Sequence, residues 1–237
     1  MAHISAFSAV NYFALFGLLT VFFLFGLVHP PAMAQGVEES AKKNTTRIDE
    51  FSRGVQAWKD KNFQLAVNLF ETAALRSEYE AQYNLAYSLR HGKGRPQNYA
   101  DALYWALLAQ LGGIEPAEEL AEEIEDRLPE KQLETVLAKI EDHLERQIET
   151  GEFGAIPQLA YYHHALLPEA NYEKAYLWYA IAVALNLPEM MELRDEMEDE
   201  IEPEQIAVLQ IKMADIFNRL LAGGPIHQNK PEAENEN

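Results

Sequence analysis

Residues 81–113 read AQYNLAYSLRHGKGRPQNYADALYWALLAQLGG, and this stretch decides the fold of the chain. Two short segments with helical apolar periodicity flank a loop that contains glycines. In the second segment, apolar side chains recur at i, i+3, i+4 and i+7, which places them on one face of a helix. These side chains are Ala102, Trp105, Ala106 and Ala109. The pattern predicts a helical hairpin, in which small alanines allow a neighbouring helix to approach closely.

The same pattern occurs three times along the chain, which indicates an internal repeat. Each copy begins four residues after an asparagine that is followed by an aromatic residue. The other two copies are Ala66, Leu69, Phe70, Ala73 and Ala175, Trp178, Tyr179, Ala182, and the asparagine–aromatic pairs are Asn62-Phe63, Asn98-Tyr99 and Asn171-Tyr172. The step from Asn98 to Asn171 is about twice the step from Asn62 to Asn98.

A larger unit repeats with the offset that separates Asn98 from Asn171. Residues 117–136 recur as residues 190–209, and both begin with a strongly acidic helical pattern that ends at a proline. Pro129 and Pro203 suit the first turn of the longer helix that follows, where a missing N–H costs nothing. The unit is therefore four helices long and present twice. Because no segment alternates like a strand, the sequence predicts an all-α fold.

The central hairpin resembles the Sel-one-like repeats, which are relatives of the tetratricopeptide repeats. The resemblance is carried by A-Q-Y-N-L-A-Y at 81–87, G-x-G at 92–94, P-Q-N-Y-A-x-A-L-Y-W at 96–105 and A-x-x-G-G at 109–113. The number of residues between Ala86 and Ala102 includes the long loop of Sel-one-like repeats. The number of residues between Gly54 and Ala66 is the one found in tetratricopeptide repeats. The resemblance implies a right-handed α-solenoid of helical hairpins without a sheet, in a bacterial exported member of the family.

Composition excludes several function classes. The 237 residues are 48% hydrophobic, which is enough for a substantial core. The chain has no cysteine, and this excludes disulfides, thiolate metal sites and cysteine nucleophiles. A formal net charge of −19 repels phosphate backbones, so nucleic acid is not an expected partner.

Residues 1–34 differ from the rest of the chain, because they contain no Asp, Glu, Lys or Arg. Residues 12–28 are continuously apolar, and Ala32-Met33-Ala34 has the small-x-small pattern that signal peptidase accepts. The sequence predicts a secretory signal peptide over residues 1–34, with Gln35 as the new N-terminus. The alternative is an uncleaved membrane anchor. We therefore expect a periplasmic or otherwise exported protein, or one tethered to the inner membrane by this segment.

Three further boundaries follow from composition. Residues 35–46 are polar and lack apolar periodicity, which predicts a linker. Residues 47–222 form the predicted helical repeat domain. Residues 223–237 begin with a Gly-Gly-Pro break and continue as a polar, acidic sequence, which predicts a disordered tail.

Chemistry-bearing residues do not form a catalytic or cofactor-binding motif, so the sequence predicts a protein that is not an enzyme and holds no cofactor or metal. His163 and His164 point about 100° apart on a helix and cannot chelate one ion together; we expect His163 in the core and His164 at the surface. The carboxylates of the acidic helices are interpreted as solvated faces. The glycines in the loop 91–95 are expected to supply positive-φ turns rather than a phosphate cradle.

The resemblance therefore places the function on the surface of the repeats. In helical solenoids the first helix of each hairpin usually lines a concave groove that holds a protein or peptide partner. Six aromatic or basic residues on these helices are the candidate partner-binding contacts: Tyr83, Tyr87, Arg90, Tyr161, Tyr162 and His164. The alternative for the tyrosines is packing between repeats.

The main functional hypothesis is a protein–protein interaction scaffold or adaptor in the bacterial cell envelope. Two alternatives remain: a cell-wall or polysaccharide-associated binding protein or enzyme accessory factor, and a purely structural spacer.

The predicted signal peptide can be tested directly. N-terminal sequencing of the mature protein purified from its native cells is expected to start at Gln35, because the small-x-small site precedes this residue. A sequence that starts at Met1 would contradict cleavage and leave the anchor.

Overall fold

The computed structural model describes residues 50–227, which belong to one compact unit, 43–237. This part of the chain is all-α, as predicted, and contains no β-strand. Its helices are α1 (50–59), α2 (Phe63–Ala74), α3 (Tyr79–His91), α4 (Tyr99–Leu111), α5 (Pro116–Glu125), α6 (Glu130–Glu149), α7 (Ala155–Tyr161), α8 (Tyr172–Ala184), α9 (Met190–Asp199) and α10 (Pro203–Leu221). A π-helical turn, Tyr162–Leu166, continues α7. The order confirms an α-solenoid built from helical hairpins.

The longer repeat predicted from the sequence is a repeat of four helices. Helices α8 and α10 repeat α4 and α6 at one common offset in the sequence. Tyr172, which starts α8, corresponds to Tyr99, which starts α4. At the same offset, Pro203, which starts α10, corresponds to Glu130, which starts α6. Helices α3–α6 form the first block and helices α7–α10 form the second. The hairpin α1–α2 precedes both blocks.

Helices α4 and α8 are the central helices of their blocks. Helix α4 contacts α3, α5 and α6, whereas α8 contacts α7, α9 and α10. Each is apolar around its circumference, which is the pattern of a helix enclosed by other helices. Their alanines, among them Ala102, Ala106 and Ala175, are fully buried and allow these close approaches.

The asparagine–aromatic pairs noted in the sequence mark helix starts. Asn62, Asn98 and Asn171 are the N-cap residues of α2, α4 and α8. Each side-chain oxygen accepts a hydrogen bond from the backbone N–H three residues later, for example from Lys174 at 3.0 Å in α8. This bond satisfies a donor that the first helical turn leaves unpaired. The repeated asparagine therefore fixes where the second helix of each hairpin begins.

The loop between α3 and α4 requires its glycines. Gly92 and Gly94 have φ angles of 65° and 83°, as the positive-φ prediction states. A Cβ atom on Gly94 would lie 2.3 Å from the carbonyl oxygen of Phe63, so the loop packs directly on the start of α2. The long loop thus joins the first hairpin to the second.

Several predicted segments concern residues that the structure does not describe. The predicted signal peptide, 1–34, and linker, 35–46, lie outside the described residues and stay predictions. Of the predicted tail, 223–237, only residues 223–227 are described, and they lie against the domain. Ile226 is buried, and its backbone N–H donates to Glu149 Oε1 at 3.2 Å. Between residues 50 and 227, no helix combines the length and apolar composition needed to cross a bilayer.

The loop packing predicts a difference between two glycine substitutions. Gly94→Ala should lower the free energy of unfolding by more than the roughly 1–2 kcal/mol that a left-handed alanine costs, because the new Cβ also meets backbone. Gly113→Ala is the matched control: its φ angle is 82°, and no atom lies within 4 Å of its Cβ position. Urea unfolding monitored by circular dichroism measures both. Equal losses for the two variants would contradict the loop contact.

Candidate functional site

The structure separates the six predicted contact residues into buried, half-buried and exposed sets. Tyr162 is 2% exposed, and its hydroxyl donates to the backbone oxygen of Leu137 at 3.0 Å. This bond ties the end of α7 to α6, so Tyr162 is a core residue and is not available as a surface contact. Tyr162 therefore packs between repeats, which is the alternative that the sequence analysis gives for the tyrosines. Tyr83 is half-buried and packs against the hydrophobic core.

Arg90 is also not a free surface residue, since it is 8% exposed. Its guanidinium forms an ion pair with Glu123 of α5 and lies over the ring of Tyr99, 5.3 Å from the centroid. A buried arginine needs such a partner, because an unpaired charge in the interior is costly. Arg90 therefore connects α3 to α4 and α5 instead of presenting a charge to a ligand.

Tyr87 remains at the surface, where 36% of it is exposed. Its ring lies 5.9 Å from that of Trp58 and 4.2 Å from that of His91. Lys93 Nζ lies 5.5 Å from the Trp58 ring centroid and 5.4 Å from that of Phe63. These five residues, Trp58, Phe63, Tyr87, His91 and Lys93, are called the aromatic cluster below. The sequence analysis identified only Tyr87, because the cluster forms across three helices and a loop.

The two cations of the α3–α4 loop are engaged within the protein. Lys93 lies over the aromatic rings, and Arg95 donates to both carboxylate oxygens of Glu71, at 2.7 and 2.5 Å. The Arg95 hydrogen bonds hold the pKa of Glu71 below its ordinary value. The loop thus packs the first hairpin against the second. This agrees with the expectation that its glycines supply turns rather than a phosphate cradle.

Tyr161 and His164 lie where α7 passes into the π-helical turn. Tyr161 is 38% exposed, and its ring lies 6.3 Å from that of His164. His164 is half-buried rather than exposed, and it also contacts the ring of Tyr179 at 6.3 Å. Burial raises the pKa of the Tyr179 hydroxyl. Since π-helical turns are frequent at functional sites, Tyr161 stays a candidate contact.

His163 is buried, as the sequence analysis expects. Its Nε2 atom lies 3.5 Å from Glu141 Oε1, and Lys174 Nζ lies 2.7 Å from the same oxygen. Burial, with a smaller contribution from Lys174, lowers the pKa of His163 to about 4 against the opposing effect of Glu141. The imidazole is therefore neutral at pH 7. Among residues 50–227, no three His, Asp or Glu side chains converge in a way that could hold a metal ion.

A groove lies where the first four-helix block meets the second. It encloses about 360 Å³ between α4, α5, α6 and the segment 165–168 that leads from α7 to α8. Its apolar lining consists of Leu107, Ala121, Leu133, Leu137, Ala165, Leu166, Leu167 and Pro168, and its polar lining consists of Gln110, Glu118, Glu122 and Glu125. We call it the acidic groove.

The three carboxylates of the acidic groove form no ion pair with a residue of the described range 50–227. Glu123, on another side of α5, pairs with Arg90 and Arg127. Burial raises the pKa of Glu125, and the charges of Glu122 and Asp126 raise it further. A cation placed in the groove would relieve this repulsion.

The sequence interpretation of α5 as a solvated acidic face is therefore incomplete. Glu118 and Glu122 are exposed, but Glu125 is half-buried beside the apolar lining. The groove requires residues 165–168, which lie far along the chain from α5. Only the pattern of α5 was visible in the sequence, and no local signal shows which segment covers it.

The comparison with protein families agrees with the hairpins seen in the structure. The family model described as Sel1 repeat matches residues 52–77, 80–109 and 158–187. Each of these three segments is similar to a Sel1 repeat, and together they cover less than half of the chain. They coincide with the hairpins α1–α2, α3–α4 and α7–α8, and the helices α5–α6 and α9–α10 lie outside the matched segments. A search of curated proteins gives no match.

The presence of Sel1 repeats supports an interaction role. Such repeats are typically protein–protein interaction modules, and the proteins that carry them are generally not enzymes. The groove between the second and third Sel1 repeats, bounded by the helices α5 and α6 that separate them, is therefore a candidate contact surface.

The low pKa of His163 predicts a pH-dependent stability. Between pH 6.5 and 4 the unfolded chain binds a proton that the buried imidazole does not, so the free energy of unfolding should fall as the pH is lowered. His163→Leu should reduce this fall by an amount on the order of 3 kcal/mol. Urea unfolding at several pH values measures it. An identical pH dependence in both proteins, or an NMR titration of His163 near its ordinary pKa, would contradict the assignment.

Proposed function

We propose that this protein is a non-enzymatic interaction scaffold that holds a protein partner of the bacterial cell envelope, with the acidic groove as its contact site. The observation that carries the proposal is a groove in which apolar side chains lie beside three carboxylates that form no ion pair with the described residues. Charged groups that the fold leaves unpaired beside apolar surface favour a partner that brings the opposite charge. The three Sel1 repeats support the same class of function.

The lining defines the chemistry of the partner. Five leucines provide apolar surface, so an aliphatic or aromatic side chain gains free energy when it is buried there. Glu118, Glu122 and Glu125 favour lysine or arginine beside that side chain. A volume of about 360 Å³ accepts one or two side chains rather than a folded element. The expected ligand is a peptide segment in which basic and apolar residues adjoin.

Two exposed tyrosines outside the acidic groove are further candidate contacts. Tyr87 belongs to the aromatic cluster and Tyr161 precedes the π-helical turn, and both keep more than a third of their surface exposed. Tyrosine is enriched at the centres of protein interfaces because it supplies a large contact area and a hydroxyl. These side chains would add contacts outside the groove, whereas Arg90 and Tyr162 have structural roles.

The proposed location rests on the sequence of the N-terminal segment. A charge-free apolar segment followed by a small-x-small site supports export to the periplasm, and an uncleaved segment would tether the protein to the inner membrane. In either case the proposed partner is a protein of the envelope.

The groove proposal predicts a charge-selective loss of binding. An immobilised array of peptides with basic and apolar residues identifies the strongest ligand, and calorimetry then measures its affinity. The double variant Glu122→Gln with Glu125→Gln should weaken binding about tenfold or more, because a cation loses its carboxylates. The double variant Glu130→Gln with Glu134→Gln carries the same charge change on exposed residues of α6 and should bind like the unchanged protein.

Three results would contradict the proposal. One is equal weakening in both double variants, since it would indicate an effect of net charge alone. The second is a preference for acidic peptides. The third is retention on peptidoglycan that neither double variant affects, which would favour the polysaccharide-associated alternative. Raising the salt concentration should weaken a specific basic ligand only partly, because the apolar contact persists.

A further inference from the structure

One wall of the acidic groove is a short segment at the end of the π-helical turn. Residues 165–168 line the groove together with side chains of α4, α5 and α6. The turn ends at Leu167, whose backbone is extended, with a φ angle of −80° and a ψ angle of 147°. Pro168 favours this change, because the residue before a proline avoids the α region. Residues 165–168, called the wall segment below, therefore leave the helix, and contacts outside the segment must fix its position.

Tyr162, the first residue of the π-helical turn, anchors the wall segment to α6. Its buried hydroxyl donates a hydrogen bond to the backbone oxygen of Leu137 at 3.0 Å. Leu137 itself lines the acidic groove. The bond therefore connects the turn that carries one wall of the groove to a residue of another wall.

The start of α8 closes the loop that contains the wall segment. The backbone N–H of Asn171 donates to the backbone oxygen of His163 at 2.8 Å. His163 Nε2 lies 3.5 Å from Glu141 Oε1, one helical turn beyond Leu137 on α6. Since the imidazole is neutral at pH 7, this longer contact carries no ion-pair attraction there, and the hydrogen bond of Tyr162 is the stronger of the two anchors on α6.

The corresponding loop of the first block is held in a different way. Between α3 and α4, Gly92 and Gly94 supply positive φ angles, and Arg95 donates to both carboxylate oxygens of Glu71. Residues 165–171 contain no glycine and no cationic side chain. The wall segment thus lacks both of these devices, which gives the Tyr162 hydrogen bond a larger share in positioning it.

The position of the wall segment determines what fits in the groove. A groove of about 360 Å³ holds one or two side chains, so a small displacement of one wall changes which apolar side chain fills it. We propose that the Tyr162 hydroxyl positions the wall segment and thereby sets the size of the apolar side chain that the acidic groove accepts. This inference rests on the proposed function. It makes Tyr162 a positioning residue, which acts through the wall segment without touching the partner.

Two tyrosine-to-phenylalanine variants test the positioning without a ligand. Tyr162→Phe removes the hydroxyl that bonds to α6. Tyr179→Phe is the matched control, because Tyr179 is 1% exposed and its hydroxyl has no hydrogen-bond partner among residues 50–227. Hydrogen exchange of the backbone amides of residues 165–167 should be about fivefold faster in Tyr162→Phe than in the unchanged protein, since a buried hydrogen bond is lost. The control should exchange like the unchanged protein. Equal exchange rates in all three proteins overturn the proposal.

Binding measurements test the effect on the groove. The strongest peptide from the array is made with leucine and with tryptophan at its apolar position, and calorimetry compares the two on each protein. The two dissociation constants should differ about threefold or more in the unchanged protein and in Tyr179→Phe. They should become nearly equal in Tyr162→Phe, because a less constrained wall discriminates less between sizes. Lower stability alone would weaken both peptides equally and leave their ratio as it is.

Two binding results overturn the size selection. One is equal affinity of the unchanged protein for the two peptides, and the other is a ratio that Tyr162→Phe does not change, even if its exchange rates differ. If neither peptide bound the unchanged protein, the proposed function would fail together with the size selection that rests on it. The exchange rates would then still decide whether Tyr162 holds the wall segment.

Discussion

The close approach of neighbouring helices to α4 and α8 is the constraint on which the rest of the structure depends. Both helices are enclosed by three others, and this is possible because alanines lie at the contact positions. Ala102, Ala106 and Ala109 in α4 have no exposed surface, nor do Ala175 and Ala182 in α8. A larger side chain at these positions would separate the surrounding helices and lose contacts on several sides at once.

Enclosing α4 also creates the acidic groove. Helices α5 and α6 must both pack on α4, and the segment that leads from α7 to α8 then lies across them. Carboxylates of α5 on this side pair with no cation of the described residues, while Glu123 on the other side reaches Arg90 and Arg127. The same packing that stabilises the block thus leaves unpaired charge at its edge, and unpaired charge beside apolar surface is the physical basis of the proposed partner binding.

The two four-helix blocks share a pattern but end differently. In the first block α6 meets the next repeat through Glu141, which contacts both Lys174 and the buried His163. In the second block α10 has Ala214 at the equivalent position, and its side chains Ile211 and Leu221 are exposed.

The sequence by itself determined the helical class, the hairpins and the four-helix unit, because apolar periodicity, asparagine caps and loop glycines act over a few residues. Only the tertiary structure decided that Arg90 and Tyr162 are internal, since their partners Glu123 and Leu137 lie on other helices far along the chain. It also decided that Glu125 borders a groove. Burial and charge pairing depend on which distant segment covers a residue, and the local pattern of a helix does not contain that information.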